Sequence, residues 1–228
     1  MDIIDLRSPE PRENLLTYQE FCYPISETIY LPRPFSMPQY SFAEVLEKRR
    51  TRREFLKLPR SALSSLLWYG AKTRLTRNLE KGHKWYHRPG SSAGGRHAID
   101  LLVIEQGIST NDVYLYNPLA HAISKLSINE LSALKELLAA INVIVDVKNA
   151  TLIWFAAQFK RATSAYLNAT TLIYQDAGVL MAILSLVTEA LELNFCPIGI
   201  TGDPWVFRML QAKDFIRGAG GCLVGSRP

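Results

Sequence analysis

Apolar and polar positions change rhythm several times along this chain, and the changes mark its elements. Residues 1–40 have no helical period. Pro9, Pro11, Pro24, Pro32, Pro34 and Pro38 alternate with Phe21, Tyr23, Tyr30 and Phe35. Prolines forbid long helix, so this stretch reads as an extended arm lying on a body or a partner subunit. At Ser41 the pattern turns helical. Ser41 to Glu44 spells a capping box, and Phe42, Val45 and Leu46 form an apolar stripe running on into Arg49–Phe55. A second helix starts near Ser61, with Leu63, Leu66, Leu67 and Trp68 apolar. Lys72–Arg88 is polar and basic and reads as a surface loop.

The remainder alternates strands and helices. Ala98–Ile104 is almost wholly apolar and predicts a buried strand. Val113–Tyr116 and Ala122–Leu126 read as a strand pair joined through Asn117 and Pro118. Ser127–Glu130 spells another capping box, opening a helix to about Ile141. Thr151–Phe155 suits a central strand. Helix resumes near Ala162 and continues, with room for a break, to Leu193. Phe195–Asp203 reads as a turn with two glycines, Pro204–Ala212 as a short helix and Gly221–Gly225 as a last strand. The mixture, without a clean βαβ alternation, predicts an α+β fold. The division is an arm over 1–40 and one domain over 41–228.

A chain of 228 residues, 48% hydrophobic and 21% charged, is long enough and apolar enough for one sizeable core. Thr170–Leu193 could be mistaken for a membrane span, but Gln175, Asp176, Glu189 and Glu192 are costly in a bilayer. A helix buried in protein or in a subunit interface fits better, and no membrane association is expected. The N-terminus does not read as a signal peptide. Cys22, Cys196 and Cys222 are odd in number and far apart, which points to a reducing, cytoplasmic setting. The net charge of +5 is local, at Lys48–Arg53 and again over Lys72–Arg88. No nucleic-acid motif accompanies it, so no nucleic-acid partner is expected.

Two stretches could carry chemistry. Pro89–Gly95 contains only Pro, Gly, Ser and Ala. A loop without large side chains lets its backbone approach a flat or anionic ligand, with Ser91 and Ser92 as donors; the alternative is a Gly/Ser loop with no ligand. Arg49, Arg50 and Arg53, with Thr51, can surround a phosphate; the alternative is a solvated helix end. His83 and His87 lie four apart without a third ligand, so no metal is expected. Neither a G-x-S-x-G elbow nor a dinucleotide or Walker motif is present.

Together these segments resemble the nitroreductase superfamily, in particular its SagB-type branch of FMN-dependent azoline dehydrogenases. The resemblance is carried by LEKRRTRREF with SALSSLLWYGAKTR, by SSAGGRHAIDLLVI and by VYLYNPLAHAISKL. YQDAGVLMAILSLVTEALELNFCPIG and GCLVGSRP complete it, in order, over about residues 41–228. It implies a mostly antiparallel central sheet flanked by helices and a homodimer with FMN at its interface. Arg49, Arg50 and Arg53 would hold the FMN phosphate, with Thr51 nearby and Arg227 a further candidate. Ser91, Ser92, Ala93 and Gly94 would line the flavin. Gly199 and Ile200 would place a backbone N–H near its reactive nitrogen.

The function so implied is oxidation of thiazoline or oxazoline rings, or a related bond, in peptide natural-product maturation. Partners would be a precursor peptide and a cyclodehydratase or other modifying enzyme. The branch carries a Lys-Tyr pair before the long helix. An ungapped reading places Ser164 and Ala165 there, and one gap places Ala165 and Tyr166. Tyr166 is therefore the catalytic candidate, with Lys160 the nearest lysine. The family's polar positions after the helix glycine are Val179, Ala182 and Ile183 here. An NAD(P)H-dependent nitroreductase and a non-catalytic structural subunit stand as alternatives.

Overall fold

The computed structural model describes residues 7–105 and 112–228, so the first six residues of the arm lie outside it. Seven strands form one antiparallel sheet in the order β10-β11-β8-β5-β6-β7-β2. In chain order they are β2 (Ile25–Tyr30), β5 (Ile99–Glu105), β6 (Val113–Asn117), β7 (Ala122–Leu126), β8 (Thr151–Gln158), β10 (Leu193–Ile198) and β11 (Ile216–Ser226). Two small ribbons lie outside it: β1 (Glu10–Pro11) with β9 (Tyr166–Leu167), and β3 (Leu75–Asn78) with β4 (Lys84–His87). The helices are α1 (Phe42–Lys48), α2 (Arg60–Gly70), α3 (Leu131–Asn142), α4 (Phe159–Thr163), α5 (Thr170–Ala190) and α6 (Trp205–Leu210).

Strand β8 sits near the middle, and all of its residues are buried. Its alternate side chains therefore feed two cores. Ile153, Phe155 and Ala157 meet α2 and α5 through Leu66, Leu67 and Leu184. Leu152, Trp154 and Ala156 meet α3 and α6 through Leu134, Leu137 and Met209. Each such aliphatic side chain contributes about 1.5–3 kcal/mol by leaving water. Cys222 belongs to the first core and Cys196 to the second, and all three cysteines are free.

Several expectations change. The arm is not merely laid on the body, because its residues 25–30 add the edge strand β2 to the main sheet against β7. The Ser41 capping box forms, with Glu44 reaching back to the Ser41 N–H at 2.8 Å. Helix α1 then stops at Lys48 instead of running into the arginines. The chain beyond is drawn to the sheet, where the Arg52 N–H donates to the Phe195 carbonyl and Leu56 bridges Ser226. Of the expected stripe only Val45 is buried; Phe42 and Leu46 are 68% and 53% exposed.

Lys72–Arg88 is a β-hairpin rather than a loop. Its strands bury little, so no alternation announces them, and cation–aromatic contacts such as Arg77 over Trp85 help to hold it. The Ser127 capping box does not form. The Ser127 N–H is spent on the Pro24 carbonyl, and α3 begins four residues later. The helix expected from Ala162 to Leu193 is α4, the short strand β9 and α5. Phe195–Ile198 is strand, not turn. Pro197 is tolerated because β10 is an edge strand that needs no N–H on its open side.

By length and composition α5 could cross a membrane. In this fold its Glu189 is buried and ion-paired to Arg52 and Arg227.

Candidate active site

Three segments carry the residues singled out in the sequence. The first is Arg49–Phe55. Glu189 on α5 draws Arg52 and Arg227 together, the latter at 2.8 Å. Burial alone would raise the Glu189 carboxyl, but the hydrogen bonds and charge of the two arginines outweigh it and hold the group below the usual carboxylate range. Arg227 is therefore already engaged. Arg49, Arg50 and Arg53 are exposed and have no carboxylate partner among the described residues. An open groove of about 400 Å³ is lined by Arg52, Arg53, Asn194 and Arg227.

The second segment is the Gly-rich loop. Its conformation is tied to α5 by one side chain. The Ser92 hydroxyl donates to Asp176 Oδ2 at 2.5 Å, and the Ala93 N–H donates to Oδ1 at 3.1 Å. Ser92 Oγ also accepts the His97 N–H at 2.8 Å. Gly94 and Gly95 have φ of 57° and 62°, and a Cβ at Gly94 would lie 2.6 Å from the Tyr166 hydroxyl. The left-handed backbone favours glycine there, and a Cβ at Gly94 would push the Tyr166 hydroxyl aside. Tyr166 is half-buried against the loop. Lys160 goes elsewhere: its ammonium stands 4.6 Å from the centre of the Phe215 ring, beside a groove lined by Arg12 and Tyr18. The structure does not join Lys160 to Tyr166 as a pair.

The third segment follows β10. Gly199 and Thr201 face Tyr174, Ala177, Gly178 and Met181 of α5 across a groove of about 220 Å³. A Cβ at Gly178 or Gly199 would meet nothing within 4 Å, so the space there is open to a ligand. The Gly-rich loop instead touches Asp176, Val179 and Ile183. At 3.6 residues per turn these two sets lie on roughly opposite sides of α5. Within one chain, the loop and the Gly199 turn do not share a pocket.

Asp176, Glu189, Arg52, Arg88 and His97 are the residues that sequence reasoning passed over. Their signal was weak: Arg52 and Arg88 are hidden within the two basic stretches, and a single Asp, Glu or His has no spacing that marks its partner. Arg88 and His97 line a small cleft, about 30 Å³, with Ser91, Ser92, Asp100 and Asp176. The His97 side chain lies against the Tyr86 carbonyl, with Nε2 at 3.1 Å. Burial, and then the charge of Arg88, push His97 down to about 4.

That depression predicts a pH dependence. An unfolded histidine takes up its proton near 6.5. Between about pH 6.5 and 4 the unfolded chain binds a proton that the folded chain refuses. The stability supplied by neutral His97 is complete above pH 6.5 and is lost as pH falls towards 4, by about 3 kcal/mol. Asparagine suits the left-handed backbone there (φ 48°) and does not titrate. Urea melts of His97→Asn should show a flatter stability profile across this window. An unchanged slope would assign the dependence to another group.

No family model matches the chain, and no curated protein matches it either. Solved structures do, and they define the fold. A candidate nitroreductase from Ralstonia eutropha superposes with a TM-score of 0.65 at 19% identity, covering 97% of this chain and 99% of that one. The E. coli microcin synthetase McbBCD complex, with truncated pro-MccB17 bound, gives 0.58 at 15% identity, covering 89% and 79%. An FMN-dependent nitroreductase from Clostridium difficile gives 0.50 at 14% identity, covering 80% and 85%. The chain therefore has the nitroreductase fold.

Proposed function

We propose that this chain is an FMN-dependent oxidoreductase that acts on azoline rings, or a related bond, of a maturing peptide. The observation that carries the flavin part is the cation set Arg49, Arg50 and Arg53, which have no carboxylate partner among the described residues; Arg53 lines one groove with Arg52 and Arg227, whose two charges share the single Glu189 carboxylate. Such a donor set fits a phosphate. The open backbone at Gly199 and Gly178 fits the edge of a flat ring. FMN, when bound, supplies a two-electron acceptor. Arg49, Arg50 and Arg53 would bind its phosphate, Gly199 and Ile200 would present backbone donors, and Ser91 to Gly94 would pack on the ring.

Because the loop and the Gly199 turn lie on opposite sides of α5, one copy's loop would complete the other copy's groove. The proposal therefore includes a homodimer. Phe35, Met37, Phe42 and Leu46, all more than half exposed, support it as apolar surface awaiting cover. The likeness to the microcin synthetase complex supports a peptide substrate and a modifying-enzyme partner.

The test is flavin uptake. Purified protein should take up FMN and sediment as a dimer. Arg49→Ala removes one charge-assisted bond, and affinity should fall roughly ten- to a hundredfold. Protein that binds no FMN, or a monomer at low micromolar concentration, would overturn this reading. The likeness to nitroreductases favours a second reading, an NAD(P)H-dependent nitroreductase. Loss of the flavin's yellow absorbance on anaerobic mixing with NADH or NADPH alone would select it.

A further inference from the structure

The flavin reading gives the arginines after α1 a purpose, but not the second basic stretch. Residues 72–88 hold six Lys or Arg and one acid, Glu80. Arg88 lines the cleft described above; Lys72 and Arg74 cluster with Arg33 at α2's last turn, and Arg77 stands further along β3. Arg33, Arg74, Arg77, Lys81 and Lys84 are exposed, and Lys72 is half-buried. None has a carboxylate partner among the described residues. Instead Lys72 donates to the Leu119 carbonyl at 3.1 Å, Arg74 to Trp68 at 2.9 Å and Lys81 to Leu15 at 2.8 Å. Three of these cations crowd one indole: Arg33, Lys72 and Arg74 lie 5.7, 5.2 and 5.2 Å from the Trp68 ring centre. Burial, then Arg74 and Arg33, pull the Lys72 ammonium below its ordinary value, as expected of like charges held together.

We propose that this face is a docking surface for an acidic, extended peptide segment, which adds as a strand beside β3 and sets its carboxylates against Arg33, Lys72, Arg74 and Arg77. Charge complementarity selects an anion. The hairpin selects its form: among the described residues β3 pairs only with β4, so its outer backbone groups are open for strand addition. The aromatic groups argue against single-stranded nucleic acid, which needs free rings for base stacking. Trp68 is capped by cations and set edge-on to His121 at 4.8 Å. Trp85 covers Gly95 and stacks on His87 at 6.2 Å. This surface stands independently of the flavin reading, and its test measures binding without turnover.

The probe is a fluorescein-labelled poly-Glu peptide, read by anisotropy on the full chain. Binding should be saturable and should weaken as salt rises from about 50 to about 300 mM, where exposed charges are screened. Lys72→Glu with Arg74→Glu should bind roughly tenfold more weakly, since two attractions become repulsions. Lys135→Glu, an exposed lysine on α3, should bind like wild type. If the first pair disturbs folding, Arg33→Glu with Arg77→Glu carries the same expectation. No saturable binding, equal weakening by Lys135→Glu, or tighter binding of a poly-dT oligonucleotide or an anionic vesicle than of the peptide would each overturn the proposal.

Discussion

Replacing Asp100 with alanine is expected to lower the unfolding free energy by about 3–5 kcal/mol, the cost of breaking one side of a buried ion pair. Asp100 on β5 is the centre of a closed polar knot. Arg161 of α4 donates to its Oδ1 at 2.7 Å, while Gln158 and Tyr23 donate to its Oδ2 at 2.7 and 3.0 Å. The side chains of Arg161 and Asp100 are 11% and 13% exposed, so water cannot replace the missing carboxylate cheaply. Burial, then Asp100, push the Tyr23 phenol well up, so it stays a donor to that carboxylate. Arg161 also holds Glu20 at 2.9 and 3.0 Å, and that second bond joins the N-terminal stretch to the core. Glu20 is 43% exposed, so Glu20→Gln should cost at most about 1 kcal/mol. Denaturant melts of the two variants decide the matter. Equal, small losses would show that Asp100 is not the anchor.

Tyr166→Phe should leave FMN uptake intact and slow turnover by at least about a hundredfold, the lower end for general acid–base catalysis. Azoline oxidation needs a proton removed as the ring loses its hydride. Under the function proposed above, Tyr166 is the candidate base because a one-residue gap brings it to the tyrosine of the pair in the branch that the sequence resembles, and its hydroxyl reaches the Gly-rich loop at Gly94. The substitution keeps the ring, so packing against the loop survives. Single-turnover measurement with the FMN-loaded protein and an azoline peptide reads the effect. Unchanged turnover would mean that the hydroxyl only fills the space that Gly94 leaves open. Lys160 is not expected to substitute, because its ammonium is committed to the Phe215 ring.

Elements that bury a face were legible in the sequence; elements held by tertiary partners were not. β5 and β8 announced themselves because nearly every residue enters a core. The Ser41 box was legible because its hydrogen bonds are local. The Ser127 box has the same spelling, but the remote Pro24 carbonyl claims its N–H. The β3–β4 hairpin hides because ladder bonds and cation–aromatic contacts leave no apolar period. In the candidate site, the small-residue loop and the arginine cluster could be read from composition. Asp176, which fixes the loop, could not, since its partners Ser92 and Ala93 stand more than eighty residues away.

The place of β2 in the sheet has a practical consequence for anyone shortening this chain. A version starting at Ser41 looks natural from the proline pattern, yet it would strip β7 of its neighbour and bare a row of backbone donors and acceptors beside buried Ala122, Ile123 and Leu126. Such an uncovered strand recruits whatever strand it meets, including its own kind. Shortened versions should accumulate as insoluble material, whereas trimming that keeps Glu20 to Tyr30 should leave a protein that stays in solution.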